Sequence, residues 1–351
     1  LPNPTPLILE LANRFRAQAL ARERRAANAL VRYYGTAYGR LHNDVMALQQ
    51  TIEQMRAAGE DVSRGTITRL ERMTAIQNQA AREAATFAEF ADQQVQAGQR
   101  EAIKAAERNG YDLITAAFPA GADLEAIGVT FYRMPAESVE NLVGTLADGS
   151  PLRDLISQAV GGAADDFSQT MVTGLAAGWN PRKLARELRT QYGMGLTRAL
   201  TISRTEQLRA YRETNRQVYD QSPVVDGWER HAAKDDRTCM ACIARDGELY
   251  STKEAMDDHP NGRCFMLPHT KSYAELGIDA PEPEFKRETA KEWFRRQDEA
   301  TQRAMLGDAK FEAWQDGRFR LEDVAKRVDN PVWGNSWVPK SLGELVVGAV
   351  Q

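Results

Sequence analysis

The sequence predicts a mainly α protein with a long N-terminal helical hairpin, a helical central domain and one small α+β module. Three observations carry that expectation. No proline interrupts the chain between Pro6 and Pro119, a stretch rich in Ala, Arg, Gln and Glu, and most such residues lose little freedom in a helix. Within it Tyr34, Tyr38, Leu41, Val45, Leu48, Ile52 and Met55 alternate steps of four and three, which lines them along one helical seam. After Pro223 the pattern shortens to Val224, Val225 and Trp228 between polar links, as small strands require.

Taken in order, the seam needs cover. The run Ala57, Ala58, Gly59, Glu60, Asp61 breaks the pattern, and a second periodic stretch follows through Ile67, Leu70, Met73, Ala80, Ala84 and Phe87. An antiparallel pair over residues 7–118 satisfies both stretches. A coiled coil to another chain is the alternative, and it makes Tyr34, Leu41, Val45 and Leu48 the candidate partner-binding residues of an arm spanning 1–118.

Residues 119–223 read as a helical central domain. Pro119, Gly121 and Gly161-Gly162 mark changes of direction. Asn180 is a cap and Pro181 suits the first helical position, opening a helix expected to stop at Gly193. A second long helix is expected from Leu196 to Tyr219. In it Arg204 lies between Leu200 and Leu208 at four-residue steps, so its guanidinium is partly buried and calls for an acidic partner. Glu206 points away from Arg204 on the same helix. Both are read as structural ion-pairing positions.

Residues 224–275 form a module of about 50 residues, with Asp246-Gly247 as a turn before Leu249-Tyr250. Apolar burial alone holds so small a unit poorly. Residues 276–351 read as a helical tail in which Gly307 and Gly317 stop helices. Two tryptophans, Trp333 and Trp337, lie in the irregular stretch from Pro331 to Pro339, which is expected to dock on its own domain or on a capsid partner.

Composition sets outer bounds. The 45 basic residues are balanced by 49 acidic ones, so no overall field draws in DNA or an anionic membrane. A nucleic-acid role would rest on local patches such as Arg22, Arg24 and Arg25, a face equally suited to solvent. No apolar run approaches the length of a membrane span, and the stretch LPNPTPLILELANRFRA lacks a basic leader, so neither a span nor a secretory signal is expected. The first residue is Leu rather than Met, which leaves room for an initiator or a leader ahead of this numbering.

All three cysteines lie between 239 and 264, an odd and sparse set unlike a secreted disulfide framework. They read Cys239-x2-Cys242, then His259-x4-Cys264 after sixteen intervening residues. Two cysteines on a tight turn reach one ion, and a second pair from a later turn completes a tetrahedral shell, the logic of structural zinc. Gly262 relieves crowding beside the second pair, and Pro260 restricts the loop. His269 or His231 could replace His259, and Asp257 and Asp258 read as turn residues. Three buried thiols without metal, a disulfide with one spare thiol, and a Cys nucleophile paired with His259 are the competing readings.

The stretch Ser203-Arg204-Thr205-Glu206, then Trp228, Asp236-Arg237-Thr238-Cys239-x-x-Cys242, Asp246-Gly247 and His259-Pro260-x-x-Arg263-Cys264 resembles the phage head-morphogenesis family typified by phage Mu protein F. The resemblance covers roughly residues 165–270. Trp179-Asn180-Pro181 and the later Thr289-Ala290-Lys291-Glu292-Trp293-Phe294 are similar to flanking segments of members. One departure is plain: many relatives carry Cys-Arg-Cys where this chain has Gly262-Arg263-Cys264. The resemblance implies a low-copy minor head protein of a tailed phage, made in the host cytoplasm and carried in the virion. Its implied partners are the portal protein, packaged DNA and the major capsid protein, with no small-molecule substrate and no catalysis. Against it stand an enzyme of the toxin or transferase type and a zinc-dependent DNA regulator. The regulator would need a basic helix beside the metal, where the sequence instead mixes Asp235, Asp236, Arg237, Glu254, Asp257 and Asp258.

Overall fold

The computed structural model describes residues 5–330 and 333–347, and its first helices turn where the seam pattern breaks. Helix α1 (Pro6–Ala57) ends just before Gly59, whose φ of +78° suits a residue without Cβ. The short α2 (Arg64–Arg69) is capped by Ser63, whose hydroxyl accepts from the Thr66 N–H. Helix α3 (Glu71–Thr115) then runs back. Tyr33 stacks on Phe90 at 4.6 Å and Arg40 pairs with Glu83 at 2.8 Å. Numbers that rise on α1 fall on α3, so the two are antiparallel.

Helices α4 (Ala136–Leu142), α5 (Leu152–Ala176) and α6 (Pro181–Gln221) follow. The Asn180 Oδ1 accepts from the Lys183 N–H at 2.9 Å, as a cap does. The break expected at Gly193 is absent, and α6 continues through it. Gly195 serves close approach instead: a Cβ there would stand 2.9 Å from the Tyr34 Oη and 3.0 Å from the Ala163 Cβ.

Strand β1 (Val225–His231), helix α7 (Met240–Arg245) and strands β2 (Leu249–Ser251) and β3 (Phe265–Thr270) come next. They give an antiparallel sheet in the order β2-β1-β3. Gly227 is required in β1, since a Cβ would lie 2.4 Å from the Tyr250 carbonyl oxygen. Its neighbour Trp228 is fully buried, stacks on Tyr250 at 4.3 Å and donates its Nε1–H to the Glu254 carbonyl.

The tail is only partly helical, which corrects the expectation for 276–351. Helices α8 (Ala290–Arg295), α9 (Glu299–Leu306) and α10 (Asp308–Gln315) are followed by a 3-10 turn at Leu321–Val324. A hairpin of β4 (Ala325–Val328) and β5 (Ser336–Pro339) then precedes α11 (Leu342–Val347). Gly307 and Gly317, at φ +81° and +71°, end α9 and follow α10. Trp337, in β5, faces the Arg245 guanidinium at 3.7 Å, so this aromatic docks on the chain itself. Pro331 and Val332, part of the segment expected to dock, lie outside the described residues.

The chain divides into two compact units, each drawn from separated stretches. One comprises Arg22–Gly98 and Ser150–Glu206; the other comprises Leu1–Ala21, Gln99–Gly149 and Gln207–Gln351. In the former, Tyr34, Leu41, Val45 and Leu48 are at most 3% exposed. Tyr34 meets Phe87 edge-on at 4.6 Å, stacks on Tyr192 at 4.4 Å and donates its hydroxyl to the Tyr192 carbonyl. The seam is therefore closed by the chain's own helices, which corrects its assignment to a partner.

In the other unit the 224–275 segment is not isolated. Met240, Cys242, Ile243 and Cys264 share one core with Ala290, Phe294, Phe311, Phe319, Leu321, Val324 and Leu345. Ile8, Leu11 and Phe15 likewise pack in one core with Trp228, Leu267 and Tyr273. Each large side chain so buried is worth about 1.5–3 kcal/mol. The module thus gains apolar burial from both ends of the sequence.

Candidate metal centre

Two loops bring the thiols and the imidazole together, and local chemistry shapes each. In the first, Asp235 makes an Asx turn, accepting at Oδ1 from the Arg237 N–H at 3.1 Å and from the Thr238 hydroxyl at 2.9 Å. That turn delivers Cys239 to the start of α7, where its sulfur accepts from the Cys242 N–H at 3.4 Å. Both sulfurs of the Cys-x2-Cys pair then face one side.

In the second loop, the Gly262 N–H donates to the His259 carbonyl at 2.9 Å. Pro260 follows the first corner, and Asn261 holds φ +63°. This is the residue pattern of a type II turn. It leaves Cys264 immediately ahead of β3.

The His259 Nε2 lies 3.2 Å from the Cys239 sulfur and 3.5 Å from that of Cys242. Its Nδ1 is 2.9 Å from the Pro260 carbonyl. A proton on Nδ1 bonded to that carbonyl turns a free Nε2 lone pair toward the thiols, the tautomer a metal-binding imidazole needs. Ligand atoms of Cys239, Cys242 and His259 all lie within 4.8 Å of one another, as do those of Cys242, Asp258 and Cys264. Cys242 is the shared corner of the two sets. The four residues read from the spacing help line a small, partly open cavity of about 20 Å³, room for roughly one water or ion. All three cysteines are free thiols. Neither His231 nor His269 belongs to a metal-capable group among the described residues. His231 instead lies 3.9 Å from Asp246, and His269 pairs with Gly227 across the sheet.

The surroundings supply what the sequence reading missed. Asp258, read there as a turn residue, is buried between Arg212 at 2.6 Å and Arg230 at 3.1 Å. Its Oδ1 also accepts from the His259 N–H at 3.0 Å. A carboxylate so occupied supports the histidine loop. Arg212 additionally donates to the Gly262 carbonyl at 2.8 Å and to that of Cys264 at 3.0 Å. One α6 side chain thereby clamps the whole second loop. Arg263 forks onto Asp235 with contacts of 2.5 and 2.7 Å, which ties the second loop to the first. Gly262 is obligatory, because a Cβ there would lie 2.1 Å from the Asp258 Oδ2.

Charge points the same way. Arg16, Arg212 and Arg230 are each at most 8% exposed around the cluster; Asp258 pairs with the latter two, and Asp246 and Asp235 act on Arg16 from further off. Two atoms of Arg16, Nε and Nη2, and the Nε of Arg230 find no hydrogen-bond acceptor among the described residues. Burial pushes the Arg16 pKa down, opposed first by the Cys264 sulfur. Burial also opposes the charge on Arg230, but Cys264 and Asp258 hold its pKa well above the usual value.

Without a cation the thiols obstruct one another. The hydrogen bond with Cys242 lowers the Cys239 pKa, while the same bond raises that of Cys242. Cys264 is pushed well up by its bond with Cys242 and by burial. For His259, burial disfavours the proton, yet Cys242 and Asp258 outweigh it and carry the pKa to about 9. A dication with three thiolates and a neutral imidazole carries one net negative charge, which lets all three sulfurs ionise and offsets part of the guanidinium excess.

Arg204, the expected buried cation of α6, pairs with Glu23 of α1 at 2.5 Å, and Glu206 is 1% exposed. The acidic partner that the sequence left unnamed is therefore Glu23.

These features define a mainly helical protein carrying a Cys/His cluster that could hold a metal ion. Residues 165–267 match the family model described as Phage Mu protein F like protein, consistent with the head-morphogenesis family that the motif order resembles. The matched stretch takes in Arg204, Arg212, β1, α7 and all four candidate ligands. No curated protein and no solved structure matches the chain. No helix among the described residues is long and apolar enough to cross a membrane.

Proposed function

We propose that the chain is a minor head component of a tailed phage, present in few copies beside the portal. In this reading a structural zinc is held by Cys239, Cys242, His259 and Cys264. The observation that carries it is the family match, whose C-terminal part takes in the clamped cluster. Four protein ligands would fill a tetrahedral shell, which supports a knitting role for the ion, and nothing in this reading calls for catalysis. With the seam buried, portal contact falls to the outer face of the arm, where Arg24, Arg25 and the 45% exposed Val31 face solvent. Packaged DNA and the major capsid protein complete the partner set in the virion.

Two measurements test this. Elemental analysis of natively purified chain should give one zinc per chain, lost in Cys242→Ser. Metal-free material that melts unchanged with chelator present would remove the zinc. Coexpression with the same phage's portal protein should give coelution on size exclusion, weakened by Val31→Glu. Separate elution together with normal heads formed without the chain would end the head assignment.

A further inference from the structure

A groove of about 420 Å³, within the range of ligand sites, opens beside α3, away from the thiol cluster. Its floor includes Ile103 and Met134, both buried. Its rim carries Arg100, Lys104, Arg108 and Arg133, all exposed. None of these four cations makes an ion pair or hydrogen bond with a described residue. The groove's one carboxylate, Glu107, is buried and accepts from the Met134 N–H at 2.8 Å. Phe131 stands at the edge, 50% exposed, with its ring held edge-on by Tyr111 at 5.7 Å.

We infer that this groove binds a single strand of nucleic acid, with phosphates on the cations and a base stacked on Phe131. An anionic occupant follows from the charge, since four unpaired cations face one carboxylate already engaged with backbone. A chain rather than a lone phosphate follows from the length of the row. Arg100, Lys104 and Arg108 recur every four residues on α3, each step about 6 Å along the axis, so they track an extended backbone. The exposed ring favours nucleic acid over an acidic protein segment, because aromatic platforms beside cations are how unpaired bases are held. Three of the four cations are arginines, whose planar forks suit phosphate. The inference goes beyond the head reading, since it concerns unpaired strands, and it stands on the groove's own residues.

The test is fluorescence anisotropy of the full chain with a labelled thymidine oligonucleotide across a salt series. The triple variant Arg100→Gln, Lys104→Gln, Arg108→Gln should flatten the salt slope by about 2, at roughly 0.7 per phosphate contact. Phe131→Ala should weaken binding about 5- to 150-fold with the slope unchanged. Circular dichroism and melting of each variant should match the parent, as expected for exposed positions. The inference is overturned if Arg24→Gln with Arg25→Gln costs as much as the triple variant. It is equally overturned if Phe131→Ala changes nothing while the charge variants do, the result an acidic protein partner would give. A chain that enters heads yet binds no strand sinks this inference alone.

Discussion

Adding one methyl group at Gly262 probes how the Cys/His cluster is braced. Gly262 lies outside the left-handed region, so alanine carries no backbone penalty there. The penalty is steric: the new Cβ would stand 2.1 Å from the Asp258 Oδ2 and 2.2 Å from its Cγ. Asp258 must retreat, and in doing so leaves Arg212 and Arg230 buried without their counter-charge. Breaking a buried pair from one side costs about 3–5 kcal/mol. At about 2–4 °C per kcal/mol for a unit of this size, Gly262→Ala should melt about 6–20 °C lower. Thermal and urea unfolding followed by circular dichroism measures this. In the double variant with Asp258→Ala, the glycine change should add almost nothing, since the group it strikes is gone. A Gly262→Ala cost below about 0.5 kcal/mol, the scale of a neutral surface change, or strict additivity in the double variant, would refute the bracing argument.

Other positions give equally direct expectations. Gly195→Ala should destabilise by about 1–3 kcal/mol through overpacking against Tyr34 and Ala163. Gly193→Ala, with nothing within 4 Å of its Cβ position, should stabilise α6 by up to about 1 kcal/mol; urea midpoints read both, and equal effects would show that α6 makes no close approach at Gly195. Leu41→Ala or Leu48→Ala should lose about 2–5 kcal/mol of stability, and a fully stable variant that fails only in partner binding would restore the seam to the surface. The Lys253 hydrogen bond holds the Asp220 pKa below the usual carboxylate range, against burial. A depressed carboxylate stabilises above its unfolded pKa and loses that stability as pH falls through the folded one. Asp220→Asn should therefore cost under about 1 kcal/mol at neutral pH, with the difference vanishing in acid; unfolding at pH 7 and pH 3 checks it.

The parts of the molecule governed by periodicity were readable from sequence. The arm's seam, its break near Gly59 and the Asn180 cap follow from local rules, and they sit where those rules put them. The Cys and His spacing also located the cluster, because ligands on tight turns are a local matter. What escaped depends on distant contacts. Arg212 is one more four-residue step along the Leu200, Arg204, Leu208 face, so the face argument could have reached it. Nothing local told that Asp258 is buried between two arginines, and an acidic residue beside a proline turn reads as solvated. Gly193 reads as a helix stop because a glycine after a periodic run looks like a C-terminal cap, and Tyr34, whose close approach explains the nearby Gly195, is far off in the sequence. The hairpin β4–β5 falls across a tail expected to be helical and a stretch expected to be irregular, and it escaped for want of any long alternating run, its strands being four residues each.

The core around Cys242 and Cys264 has a bearing on how the protein is made. Its apolar walls include Phe311, Val324 and Leu345, which leave the ribosome well after the thiols, whereas Arg22–Gly98 and Ser150–Glu206 make up their own unit by residue 206. Synthesis therefore imposes an order, with the seam-bearing unit free to mature while the thiols wait, uncovered and open to oxidation, for the residues from Ala290 to Leu345 that cover them. Early capture of an ion would shelter those sulfurs during that interval.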